Sequence, residues 1–151
     1  CKSSYYFCYM TIQIIYTGTP AYEQMIDLRM EVLLNPIGIP KTYISPEKEK
    51  QDIFIAAFED EKVVGCCILT PINEKSIQLR QMAVKQNIQH SGIGAAIIKF
   101  AESNAKERGF NNLFMHARDA VIPFYEKQGY QIDGEGFTEV NIPHHKMKKE
   151  L

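Results

Sequence analysis

The sequence predicts a single-domain, mixed α/β protein in which helices cover a twisted sheet. Three observations predict it. The 151 residues match the usual size of one domain with its own core. Apolar residues alternate with a period of two in several short stretches, then recur at steps of three and four in longer ones. In the second half, a strand, an amphipathic helix and a strand follow one another, which calls for a right-handed crossover. No internal repeat and no second domain interrupt the pattern.

The elements follow in order. Cys1 to Tyr9 is aromatic but short, has no small-residue cleavage site, and does not read as a secretory signal. Because the chain opens on Cys, Met10 is a candidate natural start, with residues 1–9 an extension and 10–151 the domain. Thr11 to Tyr16 is a first strand, with Ile12, Ile14 and Tyr16 on one face. Thr19-Pro20 supplies an N-cap and a proline in the first turn. The helix after it carries Tyr22, Met25, Ile26, Arg29, Met30, Leu33 and Leu34 and ends at Asn35-Pro36. Ile37 to Gln51 is a Pro- and Lys-rich connection with one helical turn expected from Ser45, and loops this long are often functional.

Two strands come next, Asp52 to Glu59 and Lys62 to Thr70, joined by a tight hairpin at Asp60-Glu61. A third runs from Ser76 to Val84. The period then changes to that of a helix. Ile93, Ala96, Ile97, Phe100, Ala101 and Ala105 share one face, Lys99, Glu102, Lys106 and Glu107 the other, and Gly109 closes the end. Asn112 to Ala117 is a strand. Asp119 is placed as the cap of a short helix reaching Lys127, with Pro123 tolerable near its first turn and Gly129 after it. Tyr130 to Asp133 and Thr138 to Lys148 are the final strands.

Composition removes several function classes. A formal net charge of −1 offers no surface for nucleic acid or an anionic membrane, and Lys146-Met147-Lys148-Lys149 reads as a solvated chain end. The four cysteines form no Cys-x-x-Cys pair, and no histidine stands at metal-ligand spacing from them. Cys66 and Cys67 are neighbours in an apolar strand, so they point to opposite faces and read as structural thiols of a reducing cytoplasm. No apolar stretch approaches the roughly 20 residues that cross a bilayer.

The chemistry concentrates between Leu79 and Gly94. A strand ends, a polar turn follows, and Gly92 and Gly94 open an amphipathic helix. The first N–H groups of a helix lack partners, and its dipole adds positive charge, so the position suits a diphosphate. A plain turn that needs glycine would look the same. No Gly-Lys-Ser/Thr follows, so this is not a P-loop, and the dinucleotide pattern lacks its third glycine.

The spacing Gln89-x-x-Gly92-x-Gly94 after the strand Leu79–Val84 resembles the acetyl-CoA-binding motif of the GNAT superfamily of N-acetyltransferases. His116 to Tyr130, with Phe124-Tyr125-Glu126-Lys127-Gln128-Gly129-Tyr130, is similar to that superfamily's Phe-Tyr-x-x-x-Gly-aromatic segment. Phe137 to Met147 and Leu28 to Leu33 resemble its ElaA/YjcF-like branch. The resemblance spans Thr11 to Lys149. It implies a GNAT-like fold, a mostly antiparallel sheet of about six to seven strands with helices on both faces. It also implies acetyl-CoA as co-substrate, no metal, and a small-molecule or peptide amine as acceptor.

Roles follow from the same resemblance. Backbone groups of Met82, Ala83 and Val84 would pair with the pantetheine arm as an added strand. Amides of Gln89, His90, Ser91, Gly92, Ile93 and Gly94 would hold the pyrophosphate. Tyr125 would be the acid that protonates the departing thiolate, or else a half-buried aromatic beside Phe124. A strand amide near Met82 would stabilise the oxyanion. Many family members carry Asn at the position of Arg118, which puts a contact from that side chain to CoA in doubt. For the general base, Glu31, His116, His144 and His145 all stand open, as does a water-mediated route. Arg80 or Gln81 would shape the acceptor pocket, but simple alternation does not say which faces it. A CoA-binding sensor without catalysis is the competing class, and an edge strand near the C-terminus could pair in a homodimer.

Overall fold

Segments 53–59 and 62–71 are apolar on both faces, which a strand sustains only when both faces are covered. The computed structural model describes residues 10–89 and 91–151, so the nine-residue extension and His90 lie outside the described residues. Within them run β1 (Met10–Ile15), α1 (Pro20–Arg29), β2 (Ile53–Glu59), β3 (Lys62–Pro71) and β4 (Ser76–Val84). There follow α2 (Ile93–Glu107), β5 (Asn112–Arg118), α3 (Ile122–Lys127), β6 (Gln131–Ile132), β7 (Phe137–Glu139) and β8 (Ile142–Glu150).

The sheet has eight strands in the order β1-β2-β3-β4-β5-β8-β6, with β7 also paired to β8. Among the described residues only β4 and β5 run parallel, joined by α2 as the crossover. The mostly antiparallel architecture is as expected, with one strand more than the upper bound. On one face α2 and α3 pack over Ile55, Cys67, Leu69, Ile77 and Met115. On the other, α1 packs over Phe54, Ala56, Cys66, Ile68 and Ala83. Cys66 and Cys67 are both fully buried thiols, one in each core.

Three local expectations need correction. The first helix does not stay α-helical to Leu34. It has α geometry to Arg29, then Met30–Leu34 forms a π turn in which the Asn35 N–H reaches back to the Met30 carbonyl. Such turns inside helices often mark functional sites. Asp119 does not cap a helix. It opens a 3-10 turn (Asp119–Val121) ahead of α3, and its carboxylate accepts a bond from His145 Nδ1 at 2.7 Å. Thr138 to Lys148 is two strands rather than one. Glu139 pairs with Ile142 across a two-residue turn, with Val140 at φ 47° and Asn141 at φ 62°. That is the geometry of a type I′ hairpin, usually announced by Asn-Gly or Asp-Gly, and a β-branched valine hides it.

Candidate active site

β4 and β5 are hydrogen-bonded only from Ser76–Gln78 against Asn112–Phe114, and beyond Gln78 the parallel register stops. The pairing of β4 with β3 shifts register between Cys66 and Ile68, opposite Gln81, whose φ is 53°. An extra residue of this kind bends a strand and breaks its ladder. The bulge leaves a cavity of about 1010 Å³ bordered by Met82, Ala83 and Val84 among others. Lys85 N–H still bonds to Val64 O on the β3 side (2.9 Å), so the polar groups of Val84 face the gap. Gln89 Nε2 takes the Val84 carbonyl at 3.0 Å.

The start of α2 forms one end of this cavity. Gln89, Gly92, Gly94 and Ala95 border it. Gly92 sits at the N-cap with φ 90°, which disfavours any side chain, and Ile93, Gly94 and Ala95 then present the unpartnered first amides of the helix. At Gly94 a Cβ would lie 3.1 Å from Phe124 Cζ, so glycine also lets α2 and α3 approach. The Ile93 side chain points into the core, which leaves its backbone alone for a ligand. Ser91 does not border the cavity and gives its hydroxyl to the Ile88 carbonyl. Two cations that the motif did not single out as ligands, Arg118 and Lys127, also border the cavity.

Tyr125 comes from α3 and borders the same cavity. Its backbone is held where the helix ends, by Tyr130 N–H on the Tyr125 carbonyl (3.1 Å) and Gly129 N–H on Glu126 O (3.0 Å). Phe124 and Tyr130 meet the ring edge-on at centroid distances of 5.2 and 6.0 Å. The residue is 6% exposed, and burial pushes its phenol well above the ordinary value, so the hydroxyl stays protonated. Among the described residues that hydroxyl has no hydrogen-bond partner, whereas Tyr130 gives its own to Glu102 at 2.8 Å.

The other end is built from the π turn and the 3-10 segments after it. Val32, Leu33, Leu34, Ile37, Ile39 and Tyr43 form an apolar wall, faced by His116, Glu139 and His144. Of the four candidate bases, His116 and His144 border the cavity. Glu31 is exposed and does not border the cavity, and His145 lies on the opposite face, paired with Asp119. His116 Nδ1 lies 3.2 Å from Glu139 Oε1, and His144 Nε2 lies 3.7 Å from Oε2 of the same carboxylate. His144 Nδ1 donates to the Ile142 carbonyl at 2.7 Å. Arg80 and Gln81 both border the cavity, because the bulge falls between them and cancels alternation.

One cluster was not visible beforehand. Arg29 is fully buried on α1 and donates to Glu49 through Nη1 (3.1 Å) and Nη2 (2.6 Å) and to Gln81 Oε1 through Nε (3.3 Å). Tyr22 donates to Glu49 Oε1 at 3.0 Å. Glu49 lies in the turn that opens with Lys48 N–H on the Ser45 carbonyl, and its own N–H reaches Ser45 O at 3.2 Å. A usable signal existed, since Arg29 sits on the apolar stripe of its helix and a buried charge demands a partner. The partner's position, 20 residues on, had none. Among the described residues no group of three His, Cys, Asp or Glu side chains could hold a metal ion. No described helix is long and apolar enough to cross a membrane.

Residues 35–151 match the family model described as an acetyltransferase (GNAT) domain. A curated relative, the uncharacterized N-acetyltransferase YjcF of Bacillus subtilis, is 28% identical over 132 residues, covering 85% of this chain and 94% of its own. The fold is that of a GNAT family acetyltransferase from Elizabethkingia anophelis with acetyl-CoA bound, at TM-score 0.75 and 21% identity, covering 95% and 99% of the two chains. It is likewise that of the aminoglycoside 6'-N-acetyltransferase from Enterococcus faecium, at TM-score 0.77 and 18% identity, covering 93% and 96%.

Proposed function

Because the chain belongs to the GNAT acetyltransferase family, in its YjcF-like branch, and is an acetyl-CoA-dependent acyltransferase, we propose that it acetylates a primary amine in the cytoplasm by direct attack on the thioester. One observation carries the catalytic reading over a mere sensor. The protonated hydroxyl of Tyr125, without a hydrogen-bond partner among the described residues, opens into the same cavity as the bulged end of β4 and the bare amides of α2.

The residues fit the donor. Amides of Ile93, Gly94 and Ala95, with Gly92 leaving the backbone open, suit the pyrophosphate, and Arg118 and Lys127 add positive charge to the cavity lining. The backbone of Met82 and the Val84 N–H, beyond the last β5 ladder pair, suit the amides of the pantetheine arm. An amide beside the Gln81 bulge is the oxyanion donor, and Tyr125 gives its proton to the departing sulfur. The apolar wall and Glu139 suit an amine, on a small molecule or a peptide end, that carries an apolar body.

A thermal-shift panel with acetyl-CoA, CoA, ATP and NAD tests the donor, and thiol release with pooled primary amines tests the transfer. Acetyl-CoA and CoA should raise the melting temperature, while ATP and NAD should not. Tyr125→Phe should lower kcat by about 100-fold while keeping the shift with acetyl-CoA. A wild-type rate in the folded variant would remove Tyr125 from the acid role, and no shift with either CoA species would remove the whole reading.

A further inference from the structure

We infer that His116 is the general base of this enzyme, taking the proton of the incoming ammonium at Nε2, and that Glu139 positions it. The inference rests on the acetyltransferase reading above. It is carried by the juxtaposition of an imidazole from β5 and a carboxylate from β7 at the acceptor end of the cavity, 3.2 Å apart.

An ionised carboxylate can only accept, so the bond from Glu139 Oε1 fixes the proton of the neutral ring on His116 Nδ1. Nε2 is then the lone-pair nitrogen. The ring is held in place by Phe137, edge-on at 5.1 Å, and by Phe114 at 6.3 Å. The same carboxylate stabilises the imidazolium once the proton has arrived, the role a carboxylate plays beside a catalytic histidine. The charged and titratable groups around the ring are few. Glu139 faces it from β7, His144 and Lys146 from β8, and Arg118 lies two residues along on the same face of β5. The Lys146 ammonium is engaged by Asp133 at 3.5 Å and lies over the Phe114 ring. The His116 side chain is 35% exposed, which leaves a path for the proton to water after each turnover.

Backbone geometry points the same way. Glu139 is the last residue before the turn in which Val140 is forced to φ 47°. Such conformations persist where the surroundings over-determine them, and they cluster at working sites. Here the turn delivers the carboxylate to His116 and the Val140 side chain to the cavity wall.

The steps balance. The ammonium gives one proton to His116 Nε2, and the neutral amine forms the C–N bond as the carbonyl pair moves to oxygen. The C–S bond breaks, and the thiolate takes the Tyr125 proton. The phenolate removes the second proton from the new amide nitrogen, and His116 releases the first to water.

Two measurements test this. Nitrogen-15 NMR of the imidazoles at neutral pH should show His116 protonated on Nδ1 in the wild type, with that preference lost in Glu139→Gln. A wild-type His116 protonated on Nε2 overturns the assignment, whatever the acceptor. Thiol release should be followed with phenethylamine, benzylamine and trifluoroethylamine, in order of falling basicity. His116→Gln should lower kcat/KM for the basic amines by about 100-fold, keep the thermal shift with acetyl-CoA, and lower the rate with trifluoroethylamine far less, since that amine arrives already neutral. An equal loss for all three amines assigns the residue a structural role and overturns the inference. Failure of acetyl-CoA to shift the wild type would instead remove the acetyltransferase reading on which it rests.

Discussion

Replacing Glu49 by leucine should cost this fold more than almost any other single change. The Arg29 guanidinium, fully buried, would lose its two bonds to Glu49 at 3.1 and 2.6 Å and retain only Gln81 at 3.3 Å. Stranding one charge of a buried pair costs about 3–5 kcal/mol. The Tyr22 hydroxyl loses its acceptor as well, which adds about 1 kcal/mol. In a domain of this size the total corresponds to a fall in melting temperature on the order of 10–20 °C. Replacing both partners, Arg29→Met with Glu49→Leu, leaves no stranded charge and should recover most of the loss, because apolar residues of similar volume substitute well for a buried pair. Urea denaturation of the four proteins, followed by circular dichroism, gives the full cycle. A single variant that loses less than about 1 kcal/mol, or a double variant as unstable as the single, would refute the reasoning.

Val140→Asn should stabilise the protein by about 1 kcal/mol, since asparagine tolerates the left-handed conformation that valine resists. A melting temperature that stays the same or falls would show that the hairpin carries no such strain. Asp52 gives a pH signature. Its Oδ2 is buried without a hydrogen-bond partner among the described residues, and burial raises its folded pKa above 3.8. The stability it contributes is therefore fully present below 3.8 and is lost as pH rises through the higher folded value. Relative to Asp52→Asn, the wild type should lose stability as pH rises above 3.8 in urea melts, and a pH-independent difference would contradict the assignment.

Local signals carried much of this protein. Short apolar runs bounded by turn residues located β2 and β3, alternation located β4, and the helical period of Ile93, Ile97, Ala101 and Ala105 identified the buried face of α2. Thr19 caps α1 as its side chain requires, accepting the Tyr22 N–H at 3.2 Å. Gly92 and Gly94 marked the helix start that borders the cavity. These features rest on residues within a few positions of each other, where backbone sterics and side-chain direction act without regard to the rest of the chain.

What local pattern could not hold was decided by distance in space. Alternation along β4 fails at Gln81 because the bulge answers to the pairing with β3 and the divergence from β5. Glu139 reaches His116 from 23 residues away, and only the hairpin turning on Val140 and Asn141 brings it there. The sequence by itself determined most of the elements, the two covered faces of the sheet and the glycine-marked helix start that borders the cavity. The other end, with its apolar wall and its histidine–carboxylate pair, was decided by the tertiary structure alone. Burial and pairing between distant segments leave no periodic trace in either one.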